Sequence, residues 1–253
     1  MDAYTGFAAV YDLFMDDVPY GEWADRIIGI LKKYGIEDGL VLDLGCGTGS
    51  MTGLLSAAGY DMIGVDSSEE MLEIADAKKM ECGAADILYL CQDMREFELY
   101  GTVRAVVSVC DALNYITDAE DLLQVFRLVH NYLDEDGVFI FDMNTVYKYT
   151  ELLGGGTFAE NRDEGSFIWE NYFDPGTGIN EYDITIYMDG GDGRYSRFEE
   201  THYQRAYESA KVAELLLAAG FPYMEMVDSD TGGEPADDTE RILFTARKKE
   251  GNV

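Results

Sequence analysis

The 253-residue sequence predicts a doubly wound α/β fold, with a mostly parallel sheet covered on both faces and an antiparallel β subdomain inserted into it. Three observations carry this reading. Short apolar runs alternate with segments of helical periodicity from Leu40 to Asp142, a glycine-dense loop follows the first of those runs directly, and beyond Gly154-Gly155-Gly156 helical spacing gives way to β-rich stretches separated by Asp/Gly turns.

The elements follow in chain order. From Tyr20 to Tyr34 the apolar residues Trp23, Ile27, Ile30, Leu31 and Tyr34 recur at steps of three and four, with Lys32 and Lys33 on the polar side, which is an amphipathic helix. After Gly39, Leu40-Val41-Leu42-Asp43-Leu44 is a short strand running straight into Gly45-Cys46-Gly47-Thr48-Gly49. The next helix carries Met51, Leu54, Leu55 and Ala58 and stops at Gly59, after which Met62-Ile63-Gly64-Val65-Asp66 is a second strand. Ser67 with Glu70, and Thr117 with Glu120, read as capping boxes. They open helices bearing Met71, Leu72 and Ala75 in one case, and Leu122, Val125, Phe126, Val129 and Leu133 in the other. Strand-like runs at residues 87–91, 105–109 and, after an Asp136-Gly137 turn, 138–142 complete five strands joined by right-handed crossovers. In the insertion, segments around 167–173, 179–188 and 195–203 are linked by Asp174-Pro175-Gly176-Thr177-Gly178 and Asp189-Gly190-Gly191-Asp192-Gly193, which read as hairpin loops. A helix from about Ser209, with Val212, Leu215, Leu216 and Ala219 before Gly220, and strands near 223–227 and 242–246 return the chain to the main sheet, giving it seven strands. The expected division is a main domain of residues 1–150 and 206–253 and an inserted subdomain of residues 151–205.

With 50 Asp and Glu against 18 Lys and Arg, the formal charge is −32. Duplex affinity rests on Lys and Arg displacing counterions from phosphates, so this balance argues against nucleic acid as a partner, and against anionic membrane surfaces for the same reason. At 47% hydrophobic and 13% aromatic, the chain is too apolar for an acidic disordered tail and long enough to bury a full core. Cys46, Cys82, Cys91 and Cys110 are 36, 9 and 19 positions apart, with no C-x-x-C and no companion Cys/His cluster. That spacing predicts no metal site and a reduced, cytoplasmic setting. Met1 to Val10 lacks a positive segment followed by an apolar stretch, and no run approaches the ~18 apolar residues of a membrane span.

A glycine loop between strand and helix lets backbone approach a ligand closely, beyond the carboxyl ends of the strands. Gly45, Gly47 and Gly49 are spaced more compactly than the dinucleotide fingerprint, in which the third glycine would fall at Ser50. Asp66, 21 residues beyond Gly45 at the end of the second strand, is placed to accept hydrogen bonds from ribose hydroxyls. Asp43 has two readings, as an acceptor of backbone N–H groups at a strand end or as a ligand to the cofactor.

Together these segments resemble the class I S-adenosylmethionine-dependent methyltransferases. Val41-Leu42-Asp43-Leu44-Gly45-Cys46-Gly47-Thr48-Gly49 matches the family's first motif, Ile63-Gly64-Val65-Asp66-Ser67 to Met71-Leu72 its ribose-binding segment, and Gln92-Asp93-Met94 its adenine-binding segment. Val109-Cys110-Asp111-Ala112-Leu113-Asn114-Tyr115 is similar to the loop lining the methyl-transfer site. The opening, Phe7-Ala8-Ala9-Val10-Tyr11-Asp12 with Val18-Pro19-Tyr20 and Trp23, resembles a bacterial YqeM-like subgroup of small-molecule type, whose sugar N,N-dimethyltransferase relatives also carry a β insertion over the site. The resemblance implies a Rossmann-like, seven-stranded fold and S-adenosylmethionine as cofactor. It further implies that Asp66 and Ser67 hold the ribose, Asp93 the adenine amino group, and the Met94 backbone the ring. Gly45, Cys46 and Gly47 would approach the methionine portion, Met71 and Cys110 would flank the cofactor, and Tyr11 would close over it. Asp111 and Tyr115 would orient the acceptor, a neutral or cationic small molecule methylated on N or O by in-line displacement. A sulfonium carries no phosphate, so acidic groups attract it where they would repel a dinucleotide. The competing readings are a nicotinamide-dependent oxidoreductase and a non-catalytic S-adenosylmethionine-binding module; the sequence leaves oligomeric state open.

Other residues take plainer readings. His130 is a packed helix histidine, and Cys46 and Cys110 serve as small residues in tight quarters rather than nucleophiles. His202 shares a strand face with Glu200 and Gln204, expected to be solvated; were that face to cover the site, His202 would be placed to accept a proton. Trp169, Tyr172 and Phe173 are expected in the core of the insertion, the alternative being a cage for a cationic acceptor, and the acidic stretch from Asp228 to Glu240 as a solvated loop, the alternative being a site for a cation or a basic partner.

Overall fold

A computed structural model describes residues 8–15, 18–82 and 86–250. Phe7 lies outside them, as do the side chains of Ala8, Ala9, Val10 and Cys82. The main sheet has seven strands in the order β10-β11-β5-β4-β1-β2-β3. They are β1 (Leu40–Leu44), β2 (Asp61–Asp66), β3 (Leu88–Cys91), β4 (Val103–Ser108), β5 (Leu133–Asn144), β10 (Tyr223–Asp228) and β11 (Arg241–Arg247). Only β11 runs against its neighbours, β5 and β10; the pairings from β5 to β3 are parallel. From β1 the chain winds outward to β2 and β3, then jumps back to β4 and winds the other way. That reversal opens a crevice at the carboxyl ends of β1 and β4.

Strand alternation sorts the core into two layers. Val41, Met62, Ala105, Val107 and Ile140 meet α2 (Tyr20–Lys33) and α3 (Ser50–Ala57) through Ile27, Leu31, Met51 and Leu55. Leu42, Leu44, Ile63, Val65, Phe139 and Phe141 face α5 (Ala119–Tyr132) and α6 (Ser209–Ala219). Gly59 and Gly220, both at φ +102°, end α3 and α6 in the left-handed conformation that favours glycine.

Both predicted caps move by one residue. α4 (Glu69–Cys82) is capped by Ser68, whose Oγ accepts from Met71 N–H at 3.2 Å, because Ser67 is drawn into a turn around the Asp66 carboxylate. α5 is capped by Asp118, whose carboxylate accepts from Glu120 and Asp121 N–H; a charged acceptor displaces the Thr117 hydroxyl. β5 begins earlier than the Asp136-Gly137 turn suggested, at Leu133, with an irregular register opposite β4.

The insertion is a four-stranded antiparallel sheet in the order β6-β7-β8-β9: β6 (Thr157–Asn161), β7 (Gly165–Asp174), β8 (Ile179–Asp189) and β9 (Tyr195–Arg205). Three of these were expected. β6 is a short edge strand with one large apolar side chain, Phe158, too little to register as a pattern. Both hairpin loops form as read: Asp174 Oδ1 accepts from Gly176 N–H at 2.9 Å and Asp189 Oδ1 from Gly191 N–H at 2.9 Å. α1 (Ala8–Phe14) packs beneath this sheet, with the Phe14 and Phe167 rings 4.9 Å apart edge to face, alongside Ile184 and Ile186.

Candidate active site

A cavity of about 620 Å³ lies at the carboxyl ends of β1, β2 and β4, between the main sheet and the inserted one. The residues assigned from the sequence to the cofactor and the acceptor line it: Tyr11, Asp43, Gly45, Cys46, Gly47, Asp66, Ser67, Met71, Asp93, Met94, Cys110, Asp111 and Tyr115.

The floor is the loop between β1 and α3. Gly45 and Gly47 have φ of +78° and +52°. A Cβ on Gly45 would stand 2.8 Å from the Ala112 methyl, whereas one on Gly47 would meet nothing within 4 Å and would project into open space. Asp66 is tethered at both oxygens: Gly47 N–H donates to Oδ2 at 2.8 Å and Ser68 N–H to Oδ1 at 2.9 Å. Each oxygen keeps a further lone pair for a ligand hydroxyl. Asp43 is 1% exposed, accepts from the Thr52 hydroxyl at 2.5 Å, and is pushed by burial to a pKa of about 7. Burial also raises Asp66. At β3, the Arg95 guanidinium bonds the Asp93 carboxylate, Nε donating to Oδ1 at 2.9 Å, and holds it below the usual carboxylate range. α1 is tied to the floor, because the Thr48 hydroxyl donates to Asp12 at 2.7 Å and Lys78 pairs with Asp12 at 2.6 Å.

The other end is built on β4. Cys110 and Asp111 are consecutive non-glycine residues at φ +60° and +50°, a conformation costing about 1–3 kcal/mol each unless the surroundings enforce it. Three groups do so. Asp111 N–H donates to Asp142 Oδ1 at 2.8 Å; Arg241 donates to Asp142 Oδ2 at 2.8 Å and to Asp111 Oδ1 at 2.7 Å; and Gln204 Nε2 donates to Asp111 Oδ2 at 2.6 Å. Burial alone would lower the Arg241 pKa, but Asp142 and Asp111 outweigh it and hold the guanidinium charged, over the Trp23 ring at 5.2 Å. Both Asp111 oxygens are therefore engaged by the protein. Burial pushes the Cys110 thiol to about 12 and Cys46 well above its usual value, so neither is a thiolate.

The β9 face corrects the expectation of solvent: Glu200, His202 and Gln204 are 9%, 3% and 2% exposed. β9 packs against the 3-10 turn Ala112–Tyr115, where the Tyr115 hydroxyl bonds that of Tyr182 and lies 3.3 Å from His202 Nδ1. Trp169 also departs from expectation, lining the cavity with Phe167, Tyr182 and Ile184, while Tyr172 is exposed and Phe173 stacks on Tyr149. Sequence reasoning passed over Arg241, Asp142 and Gln204. The one local signal was an arginine opening the apolar run Ile242-Leu243-Phe244, and its partners lie 99 and 130 residues away. His130 packs edge-on against Phe221 at 5.2 Å, and Asp228 organises its own loop by accepting from Thr231 N–H and Thr239 Oγ1, each at 2.7 Å.

A ligand at this floor meets backbone and carboxylate groups, which suits a cation without phosphates. Fold and site thus define a doubly wound α/β protein with a roofed cavity at the carboxyl ends of its strands. The methyltransferase domain family matches residues 41–137. The chain is 36% identical over 250 residues to "Putative methyltransferase YqeM" of Bacillus subtilis (strain 168), covering 97% of each protein. It superposes on an S-adenosylmethionine-dependent methyltransferase from Clostridium acetobutylicum with TM-score 0.88 at 33% identity, over 98% of this chain and 100% of that one. The sugar N-methyltransferase KedS8 from Streptoalloteichus sp ATCC 53650 shares the fold, with TM-score 0.77 at 20% identity over 95% and 93% of the two chains. The chain belongs to the S-adenosylmethionine-dependent methyltransferases, and S-adenosylmethionine is its cofactor. The nicotinamide and non-catalytic readings fall away.

Proposed function

We propose that this enzyme methylates the amine nitrogen of a small molecule. The observation that carries the reading is the roof: the inserted sheet and α1 close the cavity with Phe14, Phe167, Trp169, Tyr182 and Ile184, leaving a chamber about the size of small-molecule sites rather than a groove for a macromolecule. A sugar N-methyltransferase with this fold is compatible with it. Bound S-adenosylmethionine supplies a methyl group already activated on a sulfonium. Asp66 and Ser67 hold the ribose, and Asp93 and the Met94 backbone the adenine. The bare backbone of Gly45 and Gly47, with Cys46, would take the methionine portion, Asp43 would lie at the same floor, and Met71, Cys110 and Tyr11 would line its surroundings. Asp111, fixed by Arg241 and Gln204, sets the strained turn that aims Tyr115 at the acceptor. Alignment and exclusion of water account for on the order of 7–11 kcal/mol of such a barrier. Residues 151–205 act as the substrate cap. We place the enzyme in the cytoplasm, since Cys46, Cys91 and Cys110 are free thiols and, among the described residues, no helix is long and apolar enough to cross a membrane.

The test is a mass-spectrometric screen for S-adenosylhomocysteine formed from S-adenosylmethionine with separate pools of small amines, small hydroxyl compounds, and proteins. Turnover confined to the amine pool is the expected result; turnover only with hydroxyl compounds or proteins would overturn the reading.

A further inference from the structure

An amine must lose its ammonium proton before it is a nucleophile, and that proton needs a destination. The inserted sheet holds one. His202 is buried behind the cavity wall, its side chain 1% exposed, with Nδ1 3.3 Å from the Tyr115 hydroxyl and Nε2 3.4 Å from Glu200, whose side chain is 6% exposed. The Tyr182 ring stacks on the imidazole, 5.0 Å between centroids and 11° between planes, and the Tyr182 hydroxyl bonds that of Tyr115. Tyr115 and Tyr182 line the cavity. A carboxylate beside Nε2 favours the tautomer with hydrogen on that atom and leaves the Nδ1 lone pair facing the Tyr115 hydroxyl. This is the ordering of hydroxyl, imidazole and carboxylate that lets a buried imidazole take a proton, the carboxylate stabilising the imidazolium formed.

We infer that Tyr115, His202 and Glu200 form a proton relay serving the acceptor, an inference that rests on the amine reading. The acceptor's ammonium N–H passes its proton to Tyr115 Oη as the tyrosine's own proton passes to His202 Nδ1. One N–H and one O–H bond break and one O–H and one N–H bond form, so the amine is left neutral with a free lone pair, and the charge rests on an imidazolium beside the Glu200 carboxylate. The proton returns through Tyr115 when the product leaves. Tyr115 is the catalytic residue; His202 and Glu200 are positioning residues that act through it. Among the described residues, the titratable groups facing the imidazole are Tyr115 from the 3-10 turn, Tyr182 from β8 and Glu200 from β9 itself, with the Asp111–Arg241 pair one step further, beyond Gln204.

The protein has two histidines, so histidine-selective ¹⁵N NMR of the complex with S-adenosylhomocysteine, assigned with His130→Gln, reads His202 directly. The relay requires hydrogen on Nε2, a hydrogen-bonded lone pair on Nδ1, and a change in the Nδ1 shift in Tyr115→Phe. Hydrogen on Nδ1, or a shift indifferent to Tyr115→Phe, overturns it. Turnover is then followed from pH 6 to 10 with glucosamine, ethanolamine and glycine as probe amines. His202→Gln and Tyr115→Phe are expected to lose about 100-fold in kcat/KM at pH 7, with the deficit shrinking toward pH 10 as the amine deprotonates in solution. A deficit independent of pH, or none, overturns the relay. Glu200→Gln, which preserves shape, serves where His202→Gln fails to fold. Calorimetric affinity of His202→Gln for S-adenosylhomocysteine stays within twofold of wild type. Turnover of no probe amine by wild type that binds S-adenosylhomocysteine overturns the acceptor reading, and with it the amine proton as the relay's cargo.

Discussion

Burial sets the neutral and charged forms of the Asp43 carboxyl in competition near physiological pH. Its pKa in the fold is about 7, against the ordinary carboxylate range in the unfolded chain, so between about pH 4 and pH 7 the unfolded state releases this proton while the folded state keeps it. Fewer protons on the unfolded chain mean that stability falls as pH rises through that window, by at most about 4 kcal/mol from this group, and falls no further once Asp43 ionises in the fold as well. Asp66 and Asp142 are also raised by burial, so their contributions run the same way and only a difference between proteins isolates Asp43. Urea unfolding of the cofactor-free protein at pH 5 and pH 7.5 is expected to show a smaller loss for Asp43→Asn than for wild type. Equal losses would mean that Asp43 is ionised throughout.

At the scale of elements, the insertion is pinned by a reciprocal amide pair: Asn171 Nδ2 donates to Asn180 Oδ1 at 2.8 Å, Asn180 Nδ2 returns the bond at 2.9 Å, and Asn171 also reaches the Gly154 carbonyl at 2.8 Å. Both residues are buried, so Asn180→Leu leaves the Asn171 amide short of partners, at a cost of about 1–3 kcal/mol. The double variant Asn171→Leu/Asn180→Leu is expected to lose less than the two single variants summed, measured by chemical unfolding. These contacts mark where reading from sequence stops. Leu40 to Leu44, the glycine loop and the place of Asp66 at the end of β2 are legible because strand period and turn chemistry fall within one stretch of chain. The caps were legible to within one residue, since Ser67 and Ser68, or Thr117 and Asp118, compete locally and tertiary bonds decide. Alternation gives His202 its companions on one face of β9 but not its surroundings, because it does not say which face meets the turn at Ala112–Tyr115. Arg241 was invisible as a clamp for the same reason: its carboxylates come from β5 and from the loop after β4, and their meeting is set by the sheet order.

Over the whole molecule the formal charge of −32 sets a repulsion that compact structure must overcome. Part of it is focused on the cavity floor, where the Asp66 charge opposes ionisation of Asp43. Added salt screens the general term, so the melting temperature is expected to rise between 20 mM and 500 mM NaCl; a fall would show that ion pairs such as Lys78–Asp12 outweigh the net charge. The floor is relieved by a cation, which joins the acidic composition to the cofactor. Calorimetric titration of S-adenosylmethionine into wild type and Asp66→Ala, both freed of retained ligand, tests that link most directly. Saturable binding by wild type, weakened at least about tenfold in Asp66→Ala by loss of a charged hydrogen-bond acceptor, is the result expected. Equal affinity in the two proteins would contradict the account of the site.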